Sequence, residues 1–186
     1  MSSVLWLRKY FLKSQGKSRS GIKVLGIDPG SIKCGYGLIG INNKEPFYIA
    51  SGEISSPSSK PLHLRLKTIY ESLVEIISQY SPDDIAVEKI FFAKGAKAAL
   101  SLGHARGIVL LAATSGTASF HEYSALQVKQ AVVGYGRAEK KQVQEMVKMT
   151  LNIKGNLYPD SADALALALS HMNTIKFNYA LKLSKR

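Results

Sequence analysis

Near its start the chain runs IKVLGID from Ile22 to Asp28, and this segment sets terms for everything around it. Ile22, Val24 and Ile27 are β-branched, and Leu25 makes the run nearly continuously apolar. That is the pattern of a strand central to a sheet rather than one with a wet face. Yet the run delivers a carboxylate, Asp28, at its end, and Pro29-Gly30-Ser31 breaks it at once. The fold has to be built around this strand, and the aspartate at its tip needs a reason.

The rest of the chain supplies the layers. Cys34–Ile41 and Phe47–Ile54 read as two further strands, joined by a hairpin turn at Asn42-Asn43-Lys44. The first strand flows into the second through PGSIK, giving a three-stranded antiparallel meander. After a Ser/Pro loop at 55–60, Leu62, Leu66, Ile69, Leu73, Ile76, Ile77 and Tyr80 recur at three- and four-residue intervals. They predict an amphipathic helix from about Pro61 that Ser81-Pro82-Asp83 stops. Asp84–Glu88 (DIAVE) is a short strand, again ending in an acid. Lys94–Ala113 reads as helix, its small residues Ala98, Ala99, Gly103 and Gly107 permitting close helix packing. Ser119–Tyr123 is a fifth strand, and Gln127–Val133, Glu139–Leu151 and Ser161–His171 are three more helices. This order predicts an α/β domain with a mixed five-stranded sheet, three strands antiparallel and then two parallel, flanked by helices.

Composition bounds the partners. With 186 residues, 46% of them hydrophobic, one domain can bury a core without disulfides. Cys34 is the only cysteine, which excludes a disulfide framework and a Cys-based metal site and fits a reducing cytoplasm. No apolar run approaches the roughly 20 residues that span a bilayer, so no membrane association is expected. The net charge of +12 is uneven: the first 20 residues carry +5 and residues 172–186 carry +4, both without an acid, leaving +3 for the body. A basic surplus of this kind points to a polyanion, most often nucleic acid, although basic tails also serve solubility. Residues 1–20 read as a disordered basic arm, with an organelle address as the alternative because the arm is acid-free. Residues 21–174 read as the folded domain and 175–186 as a basic tail.

Four acids stand out by position. Asp28 and Glu88 end strands, and Asp160 and Asp163 open the last helix in YPDSADALALALSH, a spacing that places them on one helical face. Each has an ordinary reading: Asp160 as an N-cap, Asp163 as complement to the helix dipole, Asp28 as a turn residue, Glu88 as an exposed strand end. Together they converge if the two strands are sheet neighbours. Clustered carboxylates repel one another and resist burial unless cations sit among them. Oxygen-only ligands select Mg²⁺ or Mn²⁺, and a pair of divalent ions about 4 Å apart suits phosphodiester hydrolysis.

At these residues the chain resembles the RuvC family, bacterial Holliday junction resolvases of the RNase H-like (retroviral integrase) superfamily. GIDPGSIKCGYGLI, AVEKIFFAKGAKAALSLGHARG, EYSALQVKQAVVGYGRAEKKQV and DSADALALALSH are similar to the family's motifs, in the family's order, from about Ile22 to His171. The resemblance implies an RNase H-like fold in which Asp28, Glu88, Asp160 and Asp163 are the catalytic acids and hold two Mg²⁺ ions, with Mn²⁺ able to substitute. It implies a homodimer that nicks opposed strands of four-way junction DNA, with a preference for short thymine-containing sequences, working beside the RuvA–RuvB branch-migration complex. Lys129 and Lys140 match basic positions near DNA. Lys141, Arg137 and Lys94 are further candidate phosphate contacts, and Phe91 a candidate aromatic contact at the junction. The basic arm and FNYALKLSKR depart from the family pattern.

Other readings remain to be tested. An RNase H-like nuclease acting on structured RNA keeps the fold and changes the substrate. A non-catalytic junction-binding module needs a broken acid set, and a phosphotransferase of the actin-like group needs two such domains. GYGLIG (Gly35, Gly37, Gly40) lies within a strand pattern, so a dinucleotide site is rejected; the glycines instead allow close strand packing or approach of a DNA backbone to Asp28. Cys34, His104 and His171 are expected in structural roles. Ala98, Leu102 and Ile108 mark the face expected to form a dimer.

Overall fold

The computed structural model describes residues 21–43, 45–89 and 95–184. The expected N-terminal arm, Lys44 of the hairpin turn, Phe91, Lys94 and the last two residues lie outside them. IKVLGID forms β1 (Ile22–Asp28), the middle strand of a five-stranded sheet. On one side lie β2 (Lys33–Asn42) and β3 (Glu45–Ser55), each antiparallel to its neighbour. On the other side lie β4 (Asp84–Glu88) and β5 (Ser119–Tyr123), both parallel to β1, so that the order is β3-β2-β1-β4-β5. The meander and the parallel pair are the arrangement expected from the sequence.

Five helices lie among the described residues: α1 (Leu62–Tyr80), α2 (Ala96–Ala113), α3 (Ala125–Val133), α4 (Lys140–Thr150) and α5 (Pro159–Leu183). Helix α1 ends where Ser81 turns left-handed (φ 46°) and its amide reaches back to the carbonyl of Ile77. Helix α3 starts two residues earlier than expected because Gln127 is not its first residue. Gln127 closes a capping box with Ser124, its side chain accepting from the Ser124 amide at 2.9 Å. Helix α5 runs on past its expected end at His171, since no glycine or proline interrupts MNTIKFNYALKL. The Asn173 amide group donates to the carbonyl of Ala131 at 2.7 Å and ties this extension to α3.

Side chains alternate across the sheet and build two cores. Leu25, Ile27, Leu38, Ile85 and Val87 face α1 and α2, packing on Ile69, Leu73, Ile77, Val109 and Ala112. Val24, Ile39, Ala86 and Tyr123 face the other way, toward Val128 of α3, Val143 and Val147 of α4, and Leu165 and Leu169 of α5. Cys34 is fully buried in the first of these cores and unbridged, a packed small hydrophobe whose thiol burial pushes up to about 12. His104 differs from expectation: it is exposed on α2. The residues that seat α2 are Ala105, Val109, Ala112 and Ala113, while Gly103 and Gly107 face open space within the chain. That helix is apolar around most of its circumference, so its composition does not reveal which side faces inward.

Helix α5 crosses β1 and β2 at close range because those strands present glycine to it. A Cβ at Gly26 would stand 1.8 Å from the carbonyl oxygen of Ala164, and one at Gly37 2.6 Å from Leu165 Cγ. This is the close packing expected of the GYG segment. It brings the N-terminus of α5 down onto the sheet edge where β1 and β4 end.

Candidate active site

The pairing of β1 with β4 continues through Ile27 opposite Val87, so the next residues, Asp28 and Glu88, finish neighbouring parallel strands at the same edge. Both point to the α5 side, sharing parity with Gly26 and Ala86. Across β2, Gly35 is directly opposite Asp28. Its missing side chain is filled by Asp160, whose carbonyl oxygen would lie 2.0 Å and whose Cβ 3.0 Å from an added Cβ. The N-cap of α5 is Tyr158 and Pro159 opens the helix, so Asp160 is not a cap; it lies in the first turn, aimed across the strand ends.

Carboxylate oxygens of Asp28, Asp160 and Asp163 lie within 4.8 Å of one another. Glu88 stands beside this triad, close enough for its charge to act on Asp28 and for that of Asp163 to act on it. The electrostatic result is strong. Burial, then the charges of Asp163, Glu88 and Asp160, raise Asp28 to about 7. Burial and Asp163 raise Glu88. Burial raises Asp160 as well, helped by the neighbouring carboxyl group of Glu53. Among the described residues Lys140 answers this repulsion most directly, with Lys33 acting on Asp160 as well: Lys140 Nζ lies 2.5 Å from Asp163 Oδ2, and the contact holds the lysine above its ordinary value.

The group fits hard divalent cations. Its donors are all oxygen, they converge from three rigid elements, and their mutual repulsion is relieved by positive charge among them. Lys140 therefore belongs at this site, although its partner is an acid of the cluster. Of the other basic candidates, Arg137 and Lys141 are exposed and Lys129 is half-buried on α3. Phe91 and Lys94 fall outside the described residues.

Two supporting residues went unread in the sequence. Arg106 of α2 donates from Nη1 to the carbonyl of Glu88 at 2.5 Å and pairs with Glu122, bracing the end of β4. Glu53 of β3 pairs with Lys33 at 3.1 Å and meets Asp160 on the rim. Arg106 lies within a quoted motif, in HARG, but its partners are set by the parallel register of β4 and β5. Glu53 has no local sequence signal at all.

A three-over-two mixed sheet with acids at the ends of adjacent strands and at the head of a crossing helix defines an RNase H-like protein with a metal-type hydrolytic centre. The family described as "Crossover junction endodeoxyribonuclease RuvC" matches residues 24–171. A crossover junction endodeoxyribonuclease RuvC of Saccharophagus degradans is 52% identical over 151 residues, covering 81% of this chain and 87% of the relative. One from Syntrophotalea carbinolica is 46% identical over 157 residues, covering 84% and 98%. Among solved structures, Thermus thermophilus RuvC in complex with Holliday junction substrate superposes with a TM-score of 0.79 at 31% identity, covering 84% of this chain and 96% of that one. The chain belongs to the RuvC family. No described helix is long and apolar enough to cross a membrane.

Proposed function

We propose that this chain resolves four-way DNA junctions by metal-dependent hydrolysis, cutting two opposed strands as a homodimer. The observation that carries this reading is the convergence of Asp28, Asp160 and Asp163 within 4.8 Å, with Asp28 raised to about 7. In family members the same activity is in the name, and one relative was solved with a junction substrate.

Asp28, Glu88, Asp160 and Asp163 are the residues that hold the ions, Mg²⁺ or Mn²⁺ by donor type. When bound, two such ions supply Lewis acidity for in-line attack of water on the phosphodiester. The protein contributes position. Strand ends and the first turn of a helix fix the acids, and the Arg106 contact steadies Glu88. Lys140 neutralises Asp163 until a cation arrives, and its side chain, 60% exposed, is then placed to meet a DNA phosphate. Lys129, Lys141 and Arg137, with Lys94 and Phe91, extend the DNA contact. The RuvA–RuvB complex is the proposed partner, and the cytoplasm the proposed compartment.

The test offers a synthetic four-way junction, a matched linear duplex and a single-stranded RNA to the purified chain, with Mg²⁺ or chelator, beside Glu88→Gln. Paired symmetric nicks on the junction alone, lost on chelation and in the variant, are expected. Comparable cutting of the duplex overturns junction selectivity, and preferential cutting of the RNA transfers the site to an RNA substrate.

A further inference from the structure

The α5 face of β4 carries a second carboxylate. Asp84 and Glu88 are four residues apart on one strand face, about 13 Å. Asp163 and His171 are eight residues apart on the helix lying over it, about 12 Å. The two spacings match, so His171 meets Asp84 at one end of the seam as Asp163 meets Glu88 at the other. His121 of β5, two residues beyond the partner of Asp84 in the register, completes the second group.

Its geometry is that of co-ligands. His121 Nε2 lies 3.3 Å from Asp84 Oδ1, and His171 Nε2 lies 3.4 Å from Asp84 Oδ2. One ligand atom from each residue falls within 4.8 Å of the other two. Both Nε2–carboxylate separations are long for hydrogen bonds, and they coincide with the roughly 3.3–3.4 Å between tetrahedral ligands on bonds of about 2.0–2.1 Å. The imidazoles stack at 4.2 Å, and the Nε2 atom of each faces the same carboxylate. On the far side of His171, Nδ1 lies 2.6 Å from the Tyr123 hydroxyl oxygen, the outer-shell contact that fixes the tautomer of a metal-bound histidine. Asp84 and His171 are each 1% exposed, while the His121 side chain is 25% exposed, leaving one side by which an ion and a water ligand can enter.

We propose that Asp84, His121 and His171 bind a single Zn²⁺ ion that clamps β4, β5 and α5 together, separately from the oxygen-only cluster at the other end of the seam. Two imidazole nitrogens and one carboxylate oxygen are a donor set for borderline ions such as Zn²⁺ rather than Mg²⁺. The role is structural: the ion ties down the far ends of the two elements whose near ends carry Glu88, Asp160 and Asp163.

The full-length untagged chain, stripped by chelation and kept free of Mg²⁺, is titrated with ZnCl₂ alone, beside Asp28→Asn and His121→Gln. Bound metal is counted after dialysis and thermal unfolding is followed. One Zn²⁺ per chain is expected, with a rise in Tm of about 5–10 °C at a hundredfold excess over Kd. The ion is expected to persist in Asp28→Asn and to be lost in His121→Gln. Absence of tight Zn²⁺ binding overturns the proposal, as does Zn²⁺ that survives in His121→Gln and disappears in Asp28→Asn. Should His121→Gln fail to fold by circular dichroism, Co²⁺ in the unmodified chain decides: tetrahedral visible bands support the site, and an octahedral oxygen-only spectrum removes it.

Discussion

The two ends of the β4–α5 seam use one backbone spacing for opposite electrostatic ends. At the edge where β1 and β4 finish, four carboxylates crowd together with one lysine, and Asp28 is raised to about 7. At the other end a single carboxylate lies between two imidazoles. Burial opposes the Asp84 charge, yet its hydrogen bonds to His121 and His171 hold it below the usual carboxylate range. Burial in turn holds His171 below the usual imidazole range. The first cluster holds repulsion that an added cation relieves; the second carries one acid between two imidazoles, and a Zn²⁺ ion there takes the place of the hydrogen bonds that its members otherwise make to one another. The comparison makes opposite predictions for removing an acid at each end.

The largest effect expected is on chemistry. Asp28→Asn lowers junction cleavage in Mg²⁺ by more than about 100-fold, since a ligand matters more than the outer-shell partners whose loss costs 10–100-fold. In chelator the same variant raises the midpoint of thermal unfolding. At pH 8 the shift of Asp28 from 3.8 to about 7 corresponds to on the order of 2–4 kcal/mol of native-state cost, which the neutral amide removes. A variant that is both inactive and less stable without metal breaks the comparison at this end.

Asp84→Ala should do the reverse. It leaves the buried His171 and the half-buried His121 imidazoles facing a void and costs about 3–5 kcal/mol, seen as a fall in Tm of about 10 °C. Cleavage per folded molecule, measured well below the new midpoint, stays within a few-fold of the parent. Gly35→Ala falls between the two. Its Cβ would press on the Asp160 carbonyl, displacing the head of α5 for about 1–3 kcal/mol and lowering cleavage more than stability. Equal activity in Gly35→Ala would show that Asp160 does not depend on that close approach.

What could be read from the sequence differs between the same two regions. Strands β1, β4 and β5 were legible to the residue because apolar runs end in acids or turns. The acid cluster was legible because its members sit at those ends and three apart on a helix. The Asp84–His121–His171 group left no such trace. Its members are brought together only by the β4–β5 register and by the phase of α5, and His171 reads simply as one more residue of an apolar helix. Arg106 and Glu53 were missed for the same reason. The length of α5 and the exposure of His104 mark the other limit: where a helix has no break signal or no polar face, neither its end nor its orientation is written locally.

The smallest effect, and the one that sharpens the comparison most, is the pH profile of stability without metal. Asp28, Glu88 and Asp160 are all raised, so between the ordinary carboxylate range and about pH 7 the native state binds more protons than the unfolded chain. These acids therefore add stability as pH falls from 8 toward 5, and His171, held low by burial, opposes them below about pH 6.5. Asp84, held low, acts with the opposite sign and in a different window: its contribution is lost only as pH falls below the ordinary carboxylate range. Thermal melts in chelator should show a Tm that rises from pH 8 toward about pH 6.5, where His171 begins to oppose the rise, and that falls below the ordinary carboxylate range. Asp28→Asn should flatten the rise and leave the fall. Saturating Mg²⁺, which has to displace the Asp28 proton, should bind more weakly below pH 7 and cancel the rise above it. A profile without the rise in the parent protein, or a rise unchanged in Asp28→Asn, would mean that the four acids do not repel one another in the folded chain.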